Sequence, residues 1–245
     1  MSDSEEEVTE RQFKICLIGN SQVGKTSIVT RYTSDTFSKN CFPTVGVEFY
    51  LKRTVLQGNR HVTLKIWDIG GAGALQGNML DKYAFGAHAI MLVYDVTNGT
   101  SFDQLSDWLR AVKNIAPIPQ GESIASQGAT SGGPLPQALT QQIRPTYALV
   151  ANKIDQEHLR VIKSERHHKF AQENGLLTYA MAAKSGEGVN LCFQKIAAEL
   201  LGIRLTKAEQ EHHQKVVKAE IVTYPQNRIP SNPQSVVKTA VCSLQ

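Results

Sequence analysis

At positions 19 to 26 the chain reads Gly19-Asn20-Ser21-Gln22-Val23-Gly24-Lys25-Thr26, which follows the pattern G-x-x-x-x-G-K-S/T. An apolar run precedes this segment and a helix-like run from Ser27 follows it, as the pattern requires. Such a loop turns tightly at its glycines and wraps phosphate groups with backbone N–H groups. Lys25 then reaches the β- and γ-phosphates, and the Thr26 hydroxyl ligates magnesium. The segment predicts a nucleotide-phosphate site between a strand and a helix, and by itself it does not distinguish GTP from ATP.

Outside this loop, short apolar runs alternate with helix-like segments. Residues 13–18, 89–94 and 146–150 are typical of buried strands, and the alternating run 62–67 pairs as a hairpin with the run before the turn Gln57-Gly58-Asn59. Helical periodicity covers residues 27–32, 102–115, 164–174 and 191 to about 218, and Gly175 suits a helix end. This order predicts an α/β fold with a six-stranded, mostly parallel sheet, one antiparallel edge strand and helices on both faces.

The segment Asn152-Lys153-Ile154-Asp155 follows the predicted strand 146–150, at the sheet edge where such folds bind ligands. Guanine presents two hydrogen-bond donors on one edge, its N1–H and its exocyclic amine, and one carboxylate accepts both. Adenine presents an acceptor there and would leave the buried carboxylate unpaired. Asp155 is therefore the predicted selectivity residue, while Asn152 ties this loop to the phosphate loop and the Lys153 stem packs over the base. An ATP-dependent kinase is disfavoured on the same ground.

Two further contacts to the nucleotide are expected at the end of the predicted strand 62–67. A second metal contact needs an acidic residue at a strand end, and Asp68 closes this strand. Gly71, three residues on, offers a backbone N–H to the γ-phosphate. Taken alone, these residues also fit an ordinary strand-ending turn. Together with the phosphate loop, they predict the metal and γ-phosphate contacts.

Over most of residues 11 to 218 these motifs resemble the Ras superfamily and, within it, the Rab branch. The resemblance implies a monomeric switch that binds GTP or GDP with Mg²⁺ and recruits partners in its GTP form. It assigns Phe37 to a face of the base and Ala182-Ala183-Lys184 to the family's S-A-K loop, with the Ala183 N–H contacting the base. It assigns Thr44 to the first switch, where its hydroxyl joins the metal. The implied metal ligands are Thr26, Thr44 and Asp68, and the implied catalytic positions are Lys25, Thr44 and Gly71. The implied nucleotide contacts are Gly19, Asn20, Ser21, Gln22, Val23, Gly24, Lys25, Thr26, Ser27, Phe37, Thr44, Gly71, Asn152, Lys153, Asp155, Ala182, Ala183 and Lys184.

The second switch departs from the family. There it reads D-x-x-G-Q-E, and its glutamine orients the attacking water. Here Ala72 and Gly73 follow Gly71, and the segment 67–86 is one residue longer than in the family. A methyl group cannot position water, so we expect slow intrinsic GTP hydrolysis, with Gln76 as an alternative source of the missing amide. A GTP-held adaptor with little or no hydrolysis is the alternative function.

The predicted domains are an acidic tail (residues 1–10), a G domain (11–219) and a flexible C-terminal tail (220–245). Within the G domain, the Pro-, Gly-, Ser- and Gln-rich stretch 117–145 is an insertion, either a docking site or a solvated spacer. The end, Cys242-Ser243-Leu244-Gln245, fits a C-a-a-X box whose final Gln favours a farnesyl group on Cys242, unless the match is a chance one. One lipid binds membranes weakly, so we expect reversible attachment.

Composition excludes several other classes. The sequence has no run of about 18 apolar residues, no signal peptide and no glycine at position 2. Its net charge of +4 is spread along the chain, which argues against a nucleic-acid partner, and its cysteines lack the spacing of zinc ligands. We therefore expect a cytoplasmic protein, reversibly attached to the cytosolic face of endomembranes, endosomes among them. The resemblance implies effector, exchange and GTPase-activating proteins, and a prenyl-binding carrier, as partners.

Overall fold

The computed structural model describes residues 10–76, 79–113, 118–119, 142–143 and 145–206. The strands are β1 (Arg11–Ile18), β2 (Val47–Leu56), β3 (Arg60–Ile69), β4 (Ala89–Asp95), β5 (Ile118–Pro119), β6 (Gln142–Ile143), β7 (Thr146–Asn152) and β8 (Leu177–Ala180). The α-helices are α1 (Lys25–Ser34), α2 (Met79–Ala84), α3 (Gly99–Asp103), α4 (Leu105–Lys113), α5 (Ser164–Asn174) and α6 (Val189–Leu201). Two 3₁₀ segments, Ala74–Gln76 and Ile154–Leu159, complete the described elements.

Six strands form one sheet in the order β2-β3-β1-β4-β7-β8. The edge strand β2 pairs antiparallel with β3, and the other neighbouring strands of this sheet pair in parallel. Parallel central strands are covered on both faces, and all seven residues of β4 are accordingly buried. The predicted fold class is confirmed.

Successive residues of β1 show how the two faces are filled. Ile15 and Leu17 belong to a core cluster that includes α1 and α6, whereas Cys16 and Ile18 belong to a second cluster that includes α3, α4 and α5. The period of two along a strand places alternate side chains on opposite faces. The carboxyl ends of β1, β3, β4 and β7 consequently meet at one edge, and the segments that follow them carry the predicted site.

Two predicted helices have different bounds in the structure. The helix predicted over 102–115 is divided into α3 and α4, and the Asn98 side chain caps α3 by accepting the Ser101 N–H. The helix predicted from 191 to about 218 begins at Val189 and ends at Leu201, because Gly202 takes a left-handed conformation (φ 67°). The Gly202 N–H donates to the Glu199 carbonyl (3.0 Å) and closes the helix, and residues 203–206 are not helical.

The insertion is described only near its ends, where β5 and β6 form a short antiparallel pair between Ile118 and Ile143 and between Pro119 and Gln142. Residues 120–141 lie outside the described residues. So do residues 1–9 and 207–245, which include the C-a-a-X box and Cys242. The predicted domain bounds therefore stay predictions.

Helix α5 packs on the sheet through a buried histidine. His167 is 5% exposed, and its Nδ1 lies 3.1 Å from the Tyr94 hydroxyl on β4. Burial, together with the smaller effects of the nearby His168 and Arg160, lowers the pKa of His167 to about 4. An unfolded histidine has a pKa of about 6.5, so the unfolded chain binds a proton that the folded chain excludes between these values. The folded state is therefore fully stabilised by this group above pH 6.5 and loses that contribution as the pH falls toward 4.

We expect His167→Gln to weaken the acid dependence of stability. Between pH 7.5 and 5, the free energy of unfolding of the wild type should fall by on the order of 1–2 kcal/mol more than that of the variant. Chemical denaturation at saturating GDP and Mg²⁺ measures this difference. His168→Gln, an exposed neighbour on the same helix, is the matched control and should retain most of the wild-type dependence. Equal acid dependence in wild type and His167→Gln would contradict the prediction.

Candidate nucleotide-binding site

The loop between β1 and α1 is shaped by its glycines and held by a lysine. A Cβ on Gly19 would lie 2.2 Å from the Val93 carbonyl oxygen, and Gly24 has a left-handed φ of 94°. The Lys25 ammonium is buried and donates to the carbonyls of Gly19 (2.8 Å) and Asn20 (2.9 Å). Burial lowers the pKa of Lys25 to about 8, although the nearby Asp68 carboxylate opposes this shift. The chain therefore holds a cation against the loop that the sequence assigns to phosphate.

The three predicted metal ligands lie together beside this loop. The Thr26 hydroxyl donates to Asp68 Oδ2 (2.5 Å), the Thr44 hydroxyl lies 3.3 Å from the same oxygen, and the two hydroxyl oxygens are 2.9 Å apart. Asp68 is fully buried, and its Oδ1 has no hydrogen-bond partner among the described residues. Burial raises the pKa of Asp68, with Thr26 and Lys25 acting in the opposite direction. A buried carboxylate with a spare oxygen between two hydroxyls fits a hard divalent cation such as Mg²⁺.

The two switch segments contact each other and the phosphate loop. The Gly70 N–H donates to the Gly46 carbonyl (2.8 Å), which joins the end of β3 to the segment that carries Thr44. Gly71 lies directly on the phosphate loop, because a Cβ at this position would be 2.3 Å from the Ser21 nitrogen. Any side chain at position 71 would displace the loop. This packing places the backbone of Gly71 against the phosphate loop, and the contact of its N–H with the γ-phosphate stays a prediction.

Gly70→Ala should separate the two switch segments. The added Cβ would lie 2.4 Å from the Thr44 carbonyl oxygen, so the Thr44 segment has to move and its hydroxyl leaves Asp68. We expect dissociation of a non-hydrolysable GTP analogue to accelerate about tenfold in saturating Mg²⁺, the equivalent of one lost polar contact. In excess chelator the wild type and the variant should release the analogue at similar rates. Gly99→Ala is the matched control, since a Cβ there meets nothing within 4 Å. An unchanged rate in Mg²⁺ would contradict the prediction.

The second half of the site begins at the end of β7. A cavity of about 650 Å³ runs from the phosphate loop to Asp155, and Phe37, Thr44, Gly71, Lys153 and Ala183 also line it. Asn152 is fully buried behind this cavity. Its amide donates to the Val23 carbonyl (2.8 Å), and its oxygen accepts the Ala183 N–H (3.2 Å). One side chain therefore joins three loops, and the phosphate loop and the Asp155 loop face a common space.

Some of the predicted contact residues already have partners within the protein. The Ala183 N–H, which the resemblance assigns to the base, is donated to Asn152. Ala182 is buried, and its N–H donates to the Glu187 carbonyl (2.9 Å) across the loop that follows it. The Val23 side chain is also buried in the core. Gln76 is in a 3₁₀ segment, and its side chain lies outside the described part of the structure.

Two residues that the sequence reading did not single out hold the base-side loops. Asp95, at the end of β4, accepts from the Lys153 ammonium (2.7 Å) and from the Thr97 N–H (2.8 Å). Lys153 has a left-handed φ of 66°, and this ion pair fixes the direction of its stem. Arg31, on α1, donates to the carbonyls of Ala183 (2.9 Å) and Lys184 (2.8 Å). Asp95 could have been singled out from the sequence, because it is a carboxylate at the end of the apolar strand β4. Arg31 could not, because it is one of several cationic residues on predicted helices.

The sequence of the chain matches the Ras family over residues 14–125 and 135–202. The chain belongs to the Ras family. The gap in the match falls within the insertion that composition predicted, so the added residues interrupt a domain that is otherwise of Ras type. Members of this family are small GTPases that bind GTP or GDP together with Mg²⁺.

Named relatives place this Ras-family chain in the Rab branch. It is 32% identical over 246 residues to Ras-related protein Rab-28 of Caenorhabditis elegans, an alignment that covers 99% of this chain and 90% of the relative. It is 32% identical to Ras-related protein Rab-10 of the same organism, covering 77% and 81%. It is 34% identical to Ras-related protein Rab-26 of Rattus norvegicus, covering 81% and 67%. The predicted resemblance is confirmed.

Among the described helices, none is long and apolar enough to cross a bilayer.

Proposed function

We propose that this Ras-family chain is a switch protein of intracellular membrane traffic, which cycles between GDP and GTP forms and hydrolyses GTP slowly. The observation that carries the proposal is a single cavity. At one end Lys25, Thr26 and Thr44 line it, with the buried Asp68 behind the two hydroxyls, and at the other end lies the carboxylate of Asp155. The first end suits a nucleoside triphosphate with its metal, and the second end suits guanine.

In GTP hydrolysis, water attacks the γ-phosphorus in line with the departing GDP. The residues of the proposed site have different roles in this step. In this proposal Lys25 neutralises charge on the β- and γ-phosphates, and the Gly71 N–H donates to a γ-phosphate oxygen. Thr26, Thr44 and Asp68 would hold Mg²⁺, which supplies charge neutralisation at the phosphates when bound. These groups stabilise the transferred phosphoryl group, and none of them orients the water.

We propose slow hydrolysis because residue 72 has no polar side chain that could orient the water. Ala72 and its neighbour Gly73 follow Gly71 directly, and Ala72 is exposed. A methyl group neither accepts nor donates a hydrogen bond. A partner that supplies a polar group would then control how long the GTP form lasts, and GTPase-activating, exchange and effector proteins are the proposed partners.

A GTP-held adaptor with little or no hydrolysis is the second candidate. The direct bond between Gly70 and Gly46 favours it, because the two switch segments contact each other through protein atoms alone. In such an adaptor the nucleotide is structural and partners bind constitutively. The first candidate requires that loss of the γ-phosphate separates these segments.

One experiment separates the two candidates. Protein purified from its native cell is denatured, and the released nucleotide is identified by chromatography. The chain is then loaded with GTP, and a single turnover is timed with Mg²⁺ present. GDP in the extract together with slow but measurable turnover supports the switch. GTP in the extract with no turnover supports the adaptor, and an adenine nucleotide would contradict both.

The membrane end of the proposal rests on Cys242, outside the described residues. We propose that a farnesyl group on Cys242 attaches the protein reversibly to the cytosolic face of endomembranes, endosomes among them, and that a prenyl-binding carrier extracts it. A single lipid gives only marginal affinity, which suits exchange between membrane and cytosol. Intact-mass spectrometry of protein from its native cell tests this step, and an unmodified full-length C-terminus would contradict it.

A further inference from the structure

Trp108 on α4 forms a hydrogen bond with the phosphate loop that no sequence motif predicts. Its side chain is 1% exposed, and its indole N–H donates to the Asn20 side-chain oxygen at 2.8 Å. The two residues are 88 positions apart in the chain. Leu105, Leu109 and Val112 of the same helix are also buried, and Trp108 belongs to the same core cluster as these residues. A rigid donor therefore meets the second residue of the loop.

Three parts of the protein contact Asn20 of the phosphate loop, namely Lys25, the second switch at Gly71 and Trp108 of α4. The Asn20 carbonyl accepts from the Lys25 ammonium (2.9 Å). Its backbone is also covered by the second switch, because a Cβ on Gly71 would lie 2.5 Å from the Asn20 carbonyl carbon and 2.3 Å from the Ser21 nitrogen. Trp108 holds the side chain of the same residue. The peptide between Asn20 and Ser21 is thus restrained by a cation, by the second switch and by α4.

The orientation of that peptide matters for ligand binding. A phosphate loop works because successive N–H groups point inward toward the phosphates, and rotation of one peptide turns one donor away. The Lys25 contact is shared with the phosphates once nucleotide is bound, since the same ammonium serves both. The bond from Trp108 to the Asn20 side chain is independent of the ligand. It can therefore hold the loop in both the nucleotide-free and the bound states.

We propose that Trp108 is a positioning residue for the phosphate loop, which acts through Asn20 to keep the loop donors directed at the β-phosphate. The inference rests on the proposed nucleotide function and adds to it a residue on a helix that carries none of the nucleotide motifs. Pre-organised donors bind an anion more tightly than donors that must first be ordered. The expected consequence is slower release of nucleotides that carry a β-phosphate.

The test is a double-mutant cycle with Trp108→Phe and Asn20→Ala. The phenylalanine keeps an aromatic ring and removes the N–H, and the alanine removes the acceptor. Each single variant should release fluorescent GDP about tenfold faster than the wild type, which is typical of one lost hydrogen bond. The double variant should release it no faster than either single variant, because the two changes remove the same bond. Affinity for GMP, which lacks the β-phosphate, should stay within about twofold.

Tyr94→Phe is the matched control, because it removes another buried hydrogen-bonding group from the same core cluster, one that pairs with His167. It should lower thermal stability and leave GDP release unchanged. Additive effects in the double variant, or equal losses of GDP and GMP affinity, would overturn the inference. If Trp108→Phe fails to fold, the comparison of GDP with GMP on Asn20→Ala decides alone. Failure of the wild type to bind GDP would instead overturn the proposed function.

Discussion

Asp155→Asn should lower the affinity for GTP by about 10⁴-fold, because a site built around a hydrogen-bonded pair loses that much when the pair is broken. The Asp155 side chain is 18% exposed and lies in the cavity that also contains the phosphate loop. An amide at this position accepts only one of the two guanine donors through its oxygen and turns its N–H₂ group toward the other, so one donor faces a donor. Competition binding against fluorescent GDP measures the loss.

The same substitution should raise the affinity for xanthosine triphosphate. Xanthine has a carbonyl in place of the exocyclic amine, and this oxygen accepts from the new amide. Glu157→Gln is the matched control, since Glu157 is an exposed carboxylate only two residues away that pairs with Arg160. It should leave both affinities unchanged. If Asp155→Asn retains wild-type GTP affinity, Asp155 does not read the base and the assignment of guanine fails.

Much of this site could be predicted because its chemistry is local in the sequence. The phosphate loop depends on glycines and a lysine within eight positions, and its glycines are required by the backbone, as the contact of Gly19 with Val93 shows. Asn152 and Asp155 lie in one turn after a buried strand. The strands that carry these loops contain buried apolar runs at residues 15–18 and 148–151, so their positions were predictable as well.

Contacts between distant segments could not be predicted. Arg31 meets Ala183 across 152 positions, and Trp108 meets Asn20 across 88. Nothing in the local pattern marks either residue, because a helix cation and an apolar-face tryptophan are common in any α/β domain. The helix end at Leu201 was missed for a different reason. Periodicity continued past Gly202, and the left-handed cap at that glycine ended the helix earlier.

Ala72→Gln should raise the rate of GTP hydrolysis in a single turnover about tenfold to a hundredfold, since correct positioning of a reacting group has effects of this size or larger. The substitution restores an amide directly after Gly71, which lies on the phosphate loop. The chain has room for it. A cavity of about 360 Å³ lies beside this position, lined by Asn20, Ser21, Gly71, Gly73 and residues of α4. The new side chain can therefore approach the phosphate site without displacing the core.

Ala72→Leu is the control for bulk, because leucine has a similar size and no polar group, and it should leave hydrolysis slow. If Ala72→Gln is no faster than the wild type, the missing amide is not the limiting factor. Gln76 then becomes the residue to change. A wild type that hydrolyses GTP rapidly and loses this rate on Gln76→Ala would show that the longer segment supplies its own amide. If the wild type hydrolyses GTP slowly and neither Ala72→Gln nor Gln76→Ala changes its rate, a partner protein has to orient the water.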